Sequence, residues 1–299
     1  TGYLECTASY LNQQIICQTK QSDVNITKDN IVALLTQIIE QTLDQLPQTE
    51  LGVIGLTIAI HGSVNHQKIT FTPRSNLDQI DLYQIFKDKY DFAIHIENEV
   101  NLSTFGEYAF ASPSNYLVNL SVRNGVRAGI IQNGVLQQGR NGNAGEIGHT
   151  IIQENGLRCI CGNAGCLEQY ISLKAIYRQF GQLKNMDFVN MIIIREYFRT
   201  GDPETLAFIH DIVEKLANCI NGLIMTFDPD IITLNGDLFK ELPEISDLIQ
   251  AHLKSAFTQN IRLRNSSLHE QATILGAIAL NLQDYLSMPN LKYNDMKNQ

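Results

Sequence analysis

The chain has 299 residues, of which 44% are hydrophobic and 18% are charged, proportions that are typical of a folded protein and exclude a disordered one. Its 22 Lys and Arg residues are outnumbered by 31 Asp and Glu residues, and the resulting charge of −9 argues against nucleic acid as a direct partner. The sequence contains neither a membrane-spanning apolar run nor a signal-like N-terminus. We therefore predict a soluble, cytoplasmic protein that does not bind membranes.

The first half of the chain predicts strands and helices in alternation. Residues 1–20 predict one or two strands, and a helix with a 3.6-residue apolar rhythm follows from Thr27, a candidate N-cap. The continuous apolar run 51–60 is typical of a buried parallel strand. The remaining elements of this half are a strand at 67–73, a helix at 81–90, a strand at 92–100 and a helix at 102–110.

The second half repeats this alternation. Two strands, 115–122 and 126–132, are followed by Asn133-Gly134, a dipeptide that favours a hairpin turn. After a glycine-rich loop, the predicted order is helices at 167–180, 186–199 and 203–227, a strand at 230–236, a helix at 244–257, a strand at 260–266, a helix at 271–286 and a polar tail at 287–299.

Two similar halves of alternating strands and helices predict an α/β fold with two lobes and a cleft between them. The small-residue stretch around Ser112 interrupts the pattern. We therefore predict a small N-terminal lobe at 1–112 and a larger lobe at 113–299.

Three of the six cysteines crowd into one short segment. Cys159, Cys161 and Cys166 follow His149 of a Gly-Glu-Ile-Gly-His sequence, and together these four side chains form the Cys₃His set of a closed, structural zinc site. Glycines at 162 and 165 permit the tight turns that ligands so close in sequence require. The alternative is a loop with three reduced thiols and no metal.

The other cysteines are Cys6, Cys17 and Cys219, which are scattered among apolar neighbours. Since nothing in the sequence indicates secretion, we predict that they are reduced thiols rather than disulfide partners.

The segments GEIGH, CICGNAGC and the Leu-Glu that follows resemble the signature of the ROK family, which groups sugar kinases and transcriptional repressors. Further similarity lies in HGSV, PRSNL, ENEVN and DPDIITLNG, so that the resemblance covers nearly the whole chain. It implies the two-lobed, actin-like (ribonuclease H-like) α/β fold with a structural zinc loop, and therefore agrees with the repeated strand pattern.

The resemblance also assigns roles to individual residues. It implies that Glu146 and Glu168 bind sugar hydroxyls and that His149 both ligates zinc and contacts the sugar. One ring nitrogen of such a histidine binds the metal, which leaves the other as a donor. Asn98 and Glu99 correspond to the family's Asn-Asp pair. The sugar-binding asparagine of a preceding loop corresponds to Asn76, for which the alternative is a turn former without a ligand.

Three departures from the family's kinases argue against catalysis. The phosphate-binding D-x-G-G-T turn is missing, and the chain enters the family pattern after that first strand. The kinase loop G-T-G-x-G-G-G is replaced by residues 123–129, where Arg123 and Arg127 stand at positions that only glycine leaves open to a phosphate. The catalytic aspartate is replaced by Glu99, whose extra methylene misplaces the carboxylate by about one bond length. No catalytic residue is therefore predicted.

The resemblance is strongest to the xylose-repressor branch of the family. It implies the sugar-binding effector domain of a homodimeric or higher oligomeric regulator, which binds a monosaccharide and contacts DNA only through a helix-turn-helix upstream of Thr1. One alternative is an ATP-dependent kinase of glucose or N-acylhexosamines whose first strand is missing. Another is a sugar-binding protein without a DNA partner. An upstream helix-turn-helix, a D-x-G-G-T turn or neither would distinguish these three.

Overall fold

The computed structural model describes residues 2–73, 75–112, 114–288 and 292. The chain packs as two units. One consists of the chain up to Phe110, Gln138–Asn143 and the chain from Gln271 onward, and the other of Ala111–Gln137 and Ala144–Glu270. No helix among the described residues is both long enough and apolar enough to cross a membrane.

The elements of the first unit alternate as the sequence predicts. In chain order they are β1 (Gly2–Ser9), β2 (Ile15–Val24), α1 (Ile31–Leu43), β3 (Gly55–Ile60), β4 (Ser63–Asn65), β5 (Lys68–Phe71), α2 (Leu82–Lys89), β6 (Ala93–Asn98) and α3 (Glu99–Gly106).

The remaining elements follow a π-helical turn at Glu107–Ala111. They are β7 (Leu117–Val122), β8 (Val126–Gln132), β9 (Val135–Leu136), α4 (Glu168–Ile171), α5 (Leu173–Lys184), α6 (Met191–Arg199), α7 (Pro203–Phe227), β10 (Ile231–Asn235), α8 (Asp237–Glu241), α9 (Ile245–His252), β11 (Arg262–Asn265) and α10 (Gln271–Leu286).

In the first unit, β3 and β6 pair in parallel with Ile60 opposite Asn98, so the chain enters α3 where these two strands end. Strands β1 and β2 form an antiparallel pair. Apolar side chains of α1, α2, β3 and β6 make up the core of this unit, with Phe86 and Ile96 almost completely buried.

The second unit is built on a five-stranded sheet in the order β11-β10-β7-β8-β9. Strand β10 is parallel to both β7 and β11, whereas β8 runs antiparallel to β7. All residues of β7 and β10 are buried, as expected of strands covered on both faces. Helices α5, α6, α7 and α9 contribute the apolar side chains that complete this core.

Several predicted boundaries change for identifiable reasons. Helix α1 begins after Asn30 rather than Thr27, and the side chain of Asn30 instead accepts a hydrogen bond from the backbone N–H of Thr27. The predicted helix 167–180 is interrupted at Ser172, whose extended backbone ends α4 and whose hydroxyl caps α5 by accepting from Ala175 N. The predicted strand 92–100 ends at Asn98, because this side chain caps α3.

The two units also differ from the predicted lobes 1–112 and 113–299. The change of unit after Phe110 lies close to the predicted boundary, but α10 belongs to the first unit rather than the second. The reason is a close helix contact: a Cβ atom at Gly106 would overlap the carbonyl of Ala272, and one at Gly276 would overlap that of Leu102. Of the predicted polar tail, residues 289–291 and 293–299 lie outside the described part of the chain.

Candidate metal centre and ligand site

The Gly-Glu-Ile-Gly-His segment lies flat against strand β8 because of its two glycines. Gly145 has a φ of +82°, and a Cβ atom there would overlap the carbonyl of Ala128. A Cβ atom at Gly148 would likewise overlap the carbonyl of Val126. The Ala128 N–H donates to the Gly145 carbonyl at 2.8 Å, which fixes the segment on the strand. This close approach determines where the side chains of Glu146 and His149 lie.

His149, Cys159, Cys161 and Cys166 converge, and their ligand atoms all lie within 4.8 Å of one another. Cys161 Sγ lies 3.6 Å from Cys166 Sγ, and Cys159 Sγ lies 3.5 Å from His149 Nδ1. Tetrahedral zinc, with bonds of about 2.3 Å to sulfur and about 2.0–2.1 Å to nitrogen, holds two sulfurs about 3.8 Å apart and sulfur and nitrogen about 3.6 Å apart. The four side chains therefore fit a tetrahedral metal ion of this size.

The loop that carries the cysteines is shaped by backbone conformations that favour glycine. Gly162 and Gly165 have φ values of +100° and +83°. Short bridges between Ile151 and Cys166 and between Arg158 and Ala164 close the loop. Positive φ at these two positions allows three ligands within eight residues to face the same point.

Metal ligation by the thiols of the cluster is coupled to the loss of a proton. Burial, followed by the neighbouring thiols of Cys161 and Cys159, raises the pKa of the Cys166 thiol to about 12. Thiolate rather than thiol ligates a metal, so a bound ion must displace this proton. Gln169 Nε2 lies 3.6 Å from Cys159 Sγ and adds a donor that stabilises a thiolate.

The three cysteines outside the cluster, Cys6, Cys17 and Cys219, are free thiols. Burial raises the pKa of the Cys219 thiol to about 12, so this partly exposed side chain, which packs against the apolar core, is a protonated thiol.

Two carboxylates flank the imidazole of His149. Its Nε2 atom lies 4.0 Å from Glu146 Oε2, and its Nδ1 atom lies 3.9 Å from Glu168 Oε1. Because Nδ1 faces Cys159, metal ligation at Nδ1 places the ring proton on Nε2, on the side of Glu146. The structure thus brings together Glu146, His149 and Glu168, which the sequence analysis names as sugar ligands. All three remain partly exposed, as a site open to a ligand requires.

Arg127 is a residue of this site to which sequence reasoning assigned no partner. Its side chain is almost completely buried in β8, and its Nη1 atom donates to Glu146 Oε1 at 2.7 Å. Its Nη2 atom also donates to the Ala144 carbonyl at 3.4 Å. What singled out Arg127 in the sequence was that it stands where the family's kinases have a glycine.

Arg123 is likewise engaged within the second unit. Its Nη2 atom donates to Oδ1 of Asn235, the last residue of β10, at 3.2 Å and to the His269 carbonyl at 3.4 Å. The turn between β7 and β8 has only three residues, Arg123 to Gly125, and β8 begins at Val126 as the predicted strand 126–132 requires. A Cβ atom at Gly125 would lie 3.6 Å from Glu168 Oε2, which places this turn beside the carboxylate.

The other predicted ligand residues belong to the first unit. Asn98 is buried and caps α3, accepting from Val100 N and Asn101 N while it donates to the Gly62 carbonyl at 2.6 Å. Glu99 is the first residue of α3, and its Oε2 atom lies 2.7 Å from His61 Nδ1, a pairing that the sequence does not reveal.

Asn76 stands apart from that pair in its local structure. It is exposed and has the left-handed backbone conformation, with a φ of 50°, immediately before a short 3₁₀ turn. Asparagine adopts this conformation more readily than most residues. The geometry is therefore that of the turn former weighed in the sequence analysis, and a role in ligand binding stays a prediction.

Comparison with known proteins places this site in context. The profile described as the ROK family matches residues 3–284. The xylose repressor of Bacillus subtilis is 31% identical over 274 residues, which are 88% of this chain and 69% of the repressor. The crystal structure of a ROK family transcriptional regulator, a homologue of Escherichia coli MLC, superposes with a TM-score of 0.84 at 26% identity and covers 97% of this chain and 78% of that one.

Kinases of similar fold also match. The ROK family glucokinase of Streptomyces griseus, solved with glucose and AMPPNP, has a TM-score of 0.77 and covers 93% of this chain and 96% of its own. At 21% identity this similarity concerns the fold alone.

Proposed function

Because this chain belongs to the ROK family and has its actin-like α/β fold, we propose that it is the sugar-binding effector part of a transcriptional regulator. The relatives that support this proposal are repressors, among them the xylose repressor and the N-acetylglucosamine repressor. The observation that carries it is the group formed by Glu146, His149 and Glu168 at a metal cluster, with Arg127 paired to Glu146.

We propose that the metal in the His149, Cys159, Cys161 and Cys166 cluster is zinc and that its role is structural. The Cys₃His set supplies four ligands, which leaves a tetrahedral ion no position for an activated water. The metal would hold the loop and orient His149, whose Nε2–H is then directed to a ligand. The distance of 3.6 Å between the sulfurs of Cys161 and Cys166 and that of 3.5 Å between Cys159 Sγ and His149 Nδ1 support this assignment.

The proposed sugar ligands in the second unit are Glu146, His149 and Glu168. Carboxylates accept hydrogen bonds from sugar hydroxyls, and an imidazole N–H donates to a hydroxyl oxygen, so this set matches the chemistry of a monosaccharide. From the first unit, the proposal includes Asn76, Asn98 and Glu99 on the basis of the family resemblance. Asn98 would bind through the hydrogen-bonding capacity that remains beyond its role as a helix cap.

We propose that the bound sugar is not phosphorylated. Phosphoryl transfer depends on positioning and charge stabilisation, for which the family's kinases use a loop of bare glycines. Here Arg123 donates a hydrogen bond to Asn235 and Arg127 donates one to Glu146, so both arginines in this region have partners within the protein. Glu99, which replaces the kinase aspartate, is paired with His61.

The remaining parts of the proposal come from the repressor relatives. DNA would be contacted only through a separate helix-turn-helix, and sugar binding would act on a homodimer or higher homo-oligomer by favouring one of its conformations. A cytoplasmic location would keep the three zinc thiols reduced. The rival function is an ATP-dependent sugar kinase, because the fold that this chain shares with the glucokinase is common to kinases and regulators of the family.

Calorimetry of the zinc-loaded chain against xylose, glucose and N-acetylglucosamine tests the proposal. At least one sugar is expected to bind. Glu146→Gln or Glu168→Gln is expected to weaken the binding of that sugar by roughly 1–3 kcal/mol, or about 5–150-fold. Glu154→Gln, an exposed residue of the same loop, is the matched control. Unchanged binding by both variants would show that the ligand site lies elsewhere.

A coupled assay with ATP and the bound sugar separates the regulator from the kinase. No sugar phosphate is expected, whereas a turnover of about 1 s⁻¹ or more, the ordinary range of kinases, would establish the rival.

A further inference from the structure

A second cluster of potential metal ligands lies on the surface of the second unit, where α7 and α9 pack together. It consists of His210 and Glu214, one turn apart on α7, and His252, the last residue of α9. One ligand atom from each of the three lies within 4.8 Å of the others, and the two imidazole centroids are 5.2 Å apart. None of these residues belongs to the Cys₃His cluster.

The backbones that carry the three side chains are held by buried neighbours. On α7, Ile209 and Val213 precede His210 and Glu214 directly and are almost completely buried. On α9, which carries His252, Ile249 is likewise buried. Both helices contribute to the same apolar core, so the spacing of the three Cα positions is set by packing. The side chains of His210 and Glu214 are themselves 61% and 54% exposed, so they can rotate toward an ion.

His252 is oriented in the way that metal-binding histidines usually are. Its Nδ1 atom lies 2.8 Å from the carbonyl of Leu248, and only a protonated nitrogen can donate to a carbonyl oxygen. The tautomer with the proton on Nδ1 leaves Nε2 as a lone-pair ligand. Such a hydrogen bond from the second ring nitrogen is the common outer-shell partner of ligating histidines.

A surface ion pair does not explain the whole arrangement. His210 Nδ1 and Glu214 Oε1, 3.7 Å apart, form an ordinary helical i,i+4 pair whose contribution to stability is small. That pair does not require a second imidazole on another helix. The edge-to-face contact of the two rings brings two nitrogen ligands and one carboxylate to one place.

We propose that His210, Glu214 and His252 bind a divalent transition-metal ion, zinc in the first instance, through two imidazole nitrogens and one carboxylate oxygen. This ligand set suits zinc and leaves a fourth position for water or an external ligand. Around tetrahedral zinc two such ligand atoms lie about 3.3 Å apart, so small rotations of exposed side chains from separations within 4.8 Å complete the site. The Cys₃His cluster and this surface site would then hold two ions per chain.

Equilibrium dialysis of the full chain against zinc tests this proposal. Protein that already carries one zinc is dialysed against increasing zinc up to about 100 μM, a range that detects weak binding. A second zinc per chain is expected. In the double variant His210→Ala/His252→Ala the first zinc is expected to remain and the second to be lost, and an unchanged urea midpoint establishes that the variant is folded.

Single variants and a matched control make the assignment specific. Glu214→Gln is expected to lower the affinity for the second zinc by at least about tenfold, since the loss of even an outer-shell partner lowers metal affinity 10–100-fold. Asp211→Asn removes an exposed acid from the same helix and is expected to leave zinc binding unchanged. The proposal is overturned if no second zinc binds in this range, or if the second zinc binds equally well to the double variant.

Discussion

At the scale of single residues, Arg127 determines how the candidate ligand site differs from a nucleotide-binding loop. It is buried in β8, and its guanidinium holds the carboxylate of Glu146 at 2.7 Å. Lysine would keep the charge but lose the planar fork that positions a carboxylate. We expect Arg127→Lys to lower the affinity for the sugar that binds the parent protein. The expected decrease is about tenfold, equivalent to about 1.4 kcal/mol.

Calorimetry measures this effect, and metal analysis checks that the zinc content is unchanged. The control is Arg158→Lys, an exposed position on the cysteine loop. Equal weakening in both variants would mean that Arg127 does not position Glu146. Because this prediction depends on the proposed function, the affinity is measured for a sugar that has already been shown to bind the parent protein.

The Cys₃His cluster gives a second prediction at this scale. Cys161→Ser removes one of four ligands, and structural zinc contributes on the order of 10 kcal/mol to the apparent folding free energy of small zinc domains. We expect the variant to lose zinc and to unfold at a lower temperature. Elemental analysis of protein purified without added metal should find close to one zinc per chain in the parent. A parent protein with a disulfide in the cluster and no metal would contradict the assignment.

At the scale of elements, the contact between α3 and α10 depends on glycine. A Cβ atom at Gly276 would overlap the backbone carbonyl of Leu102, which cannot move without shifting a helix. Overpacking of this kind costs roughly 1–3 kcal/mol, more than the gain of up to about 1 kcal/mol from replacing glycine by alanine in a helix. We therefore expect Gly276→Ala to destabilise the protein in urea unfolding.

Gly222→Ala is the matched control for this prediction. Gly222 lies in α7 with no atom near the position of its missing Cβ, so only the gain in helix propensity remains. The two substitutions should therefore change the unfolding free energy in opposite directions. Stabilisation by both would show that α3 and α10 can separate at little cost.

His95 of β6, which lies beside Asp284 of α10, makes the stability of the protein depend on pH. Burial lowers the pKa of His95 below its ordinary value, although Asp284, whose Oδ2 atom lies 3.4 Å from His95 Nε2, acts in the opposite direction. The folded state thus keeps His95 neutral at pH values where the unfolded chain takes up a proton. The resulting stability is complete above about pH 6.5 and is lost as the pH falls toward the lowered value.

Replacement of His95 by glutamine tests this dependence. We expect His95→Gln to lose less stability than the parent protein between pH 7 and pH 5, as followed by the urea midpoint. Asp284→Asn should have the opposite effect, because it removes the charge that favours protonated His95. Parallel pH profiles for all three proteins would exclude His95 as the cause.

At the scale of the whole molecule, the charge of −9 bears on the division of roles in a regulator. DNA affinity depends largely on Lys and Arg that neutralise phosphates, and acidic residues predominate here. We expect residues 1–299 to have negligible affinity for duplex DNA at physiological salt, with and without sugar. A gel-shift series across salt concentrations measures this. Specific binding of an operator by this chain alone would contradict the proposal that DNA is read by a separate helix-turn-helix.

The family, the α/β fold and the convergence of His149 with three cysteines were predictable from the sequence, since each depends on local patterns. The ligand spacing from His149 to Cys166 lies within one segment, and the Asn133-Gly134 turn has the two positive φ values that its type requires. Helices α7 and α10 have the predicted bounds because a first-turn proline and a continuous apolar pattern mark them in the chain. Short-range geometry of this kind can be read from neighbouring residues.

Contacts between residues that are distant in the sequence became visible in the three-dimensional packing alone. The partners of Arg127 and Arg123, the pairing of His61 with Glu99, and the approach of His252 to His210 join segments separated by 17 or more positions. The placement of α10 in the first unit likewise follows from a contact between two glycine-bearing helices far apart in sequence. Such contacts depend on how whole helices and sheets pack, and side-chain patterns within one element do not encode them.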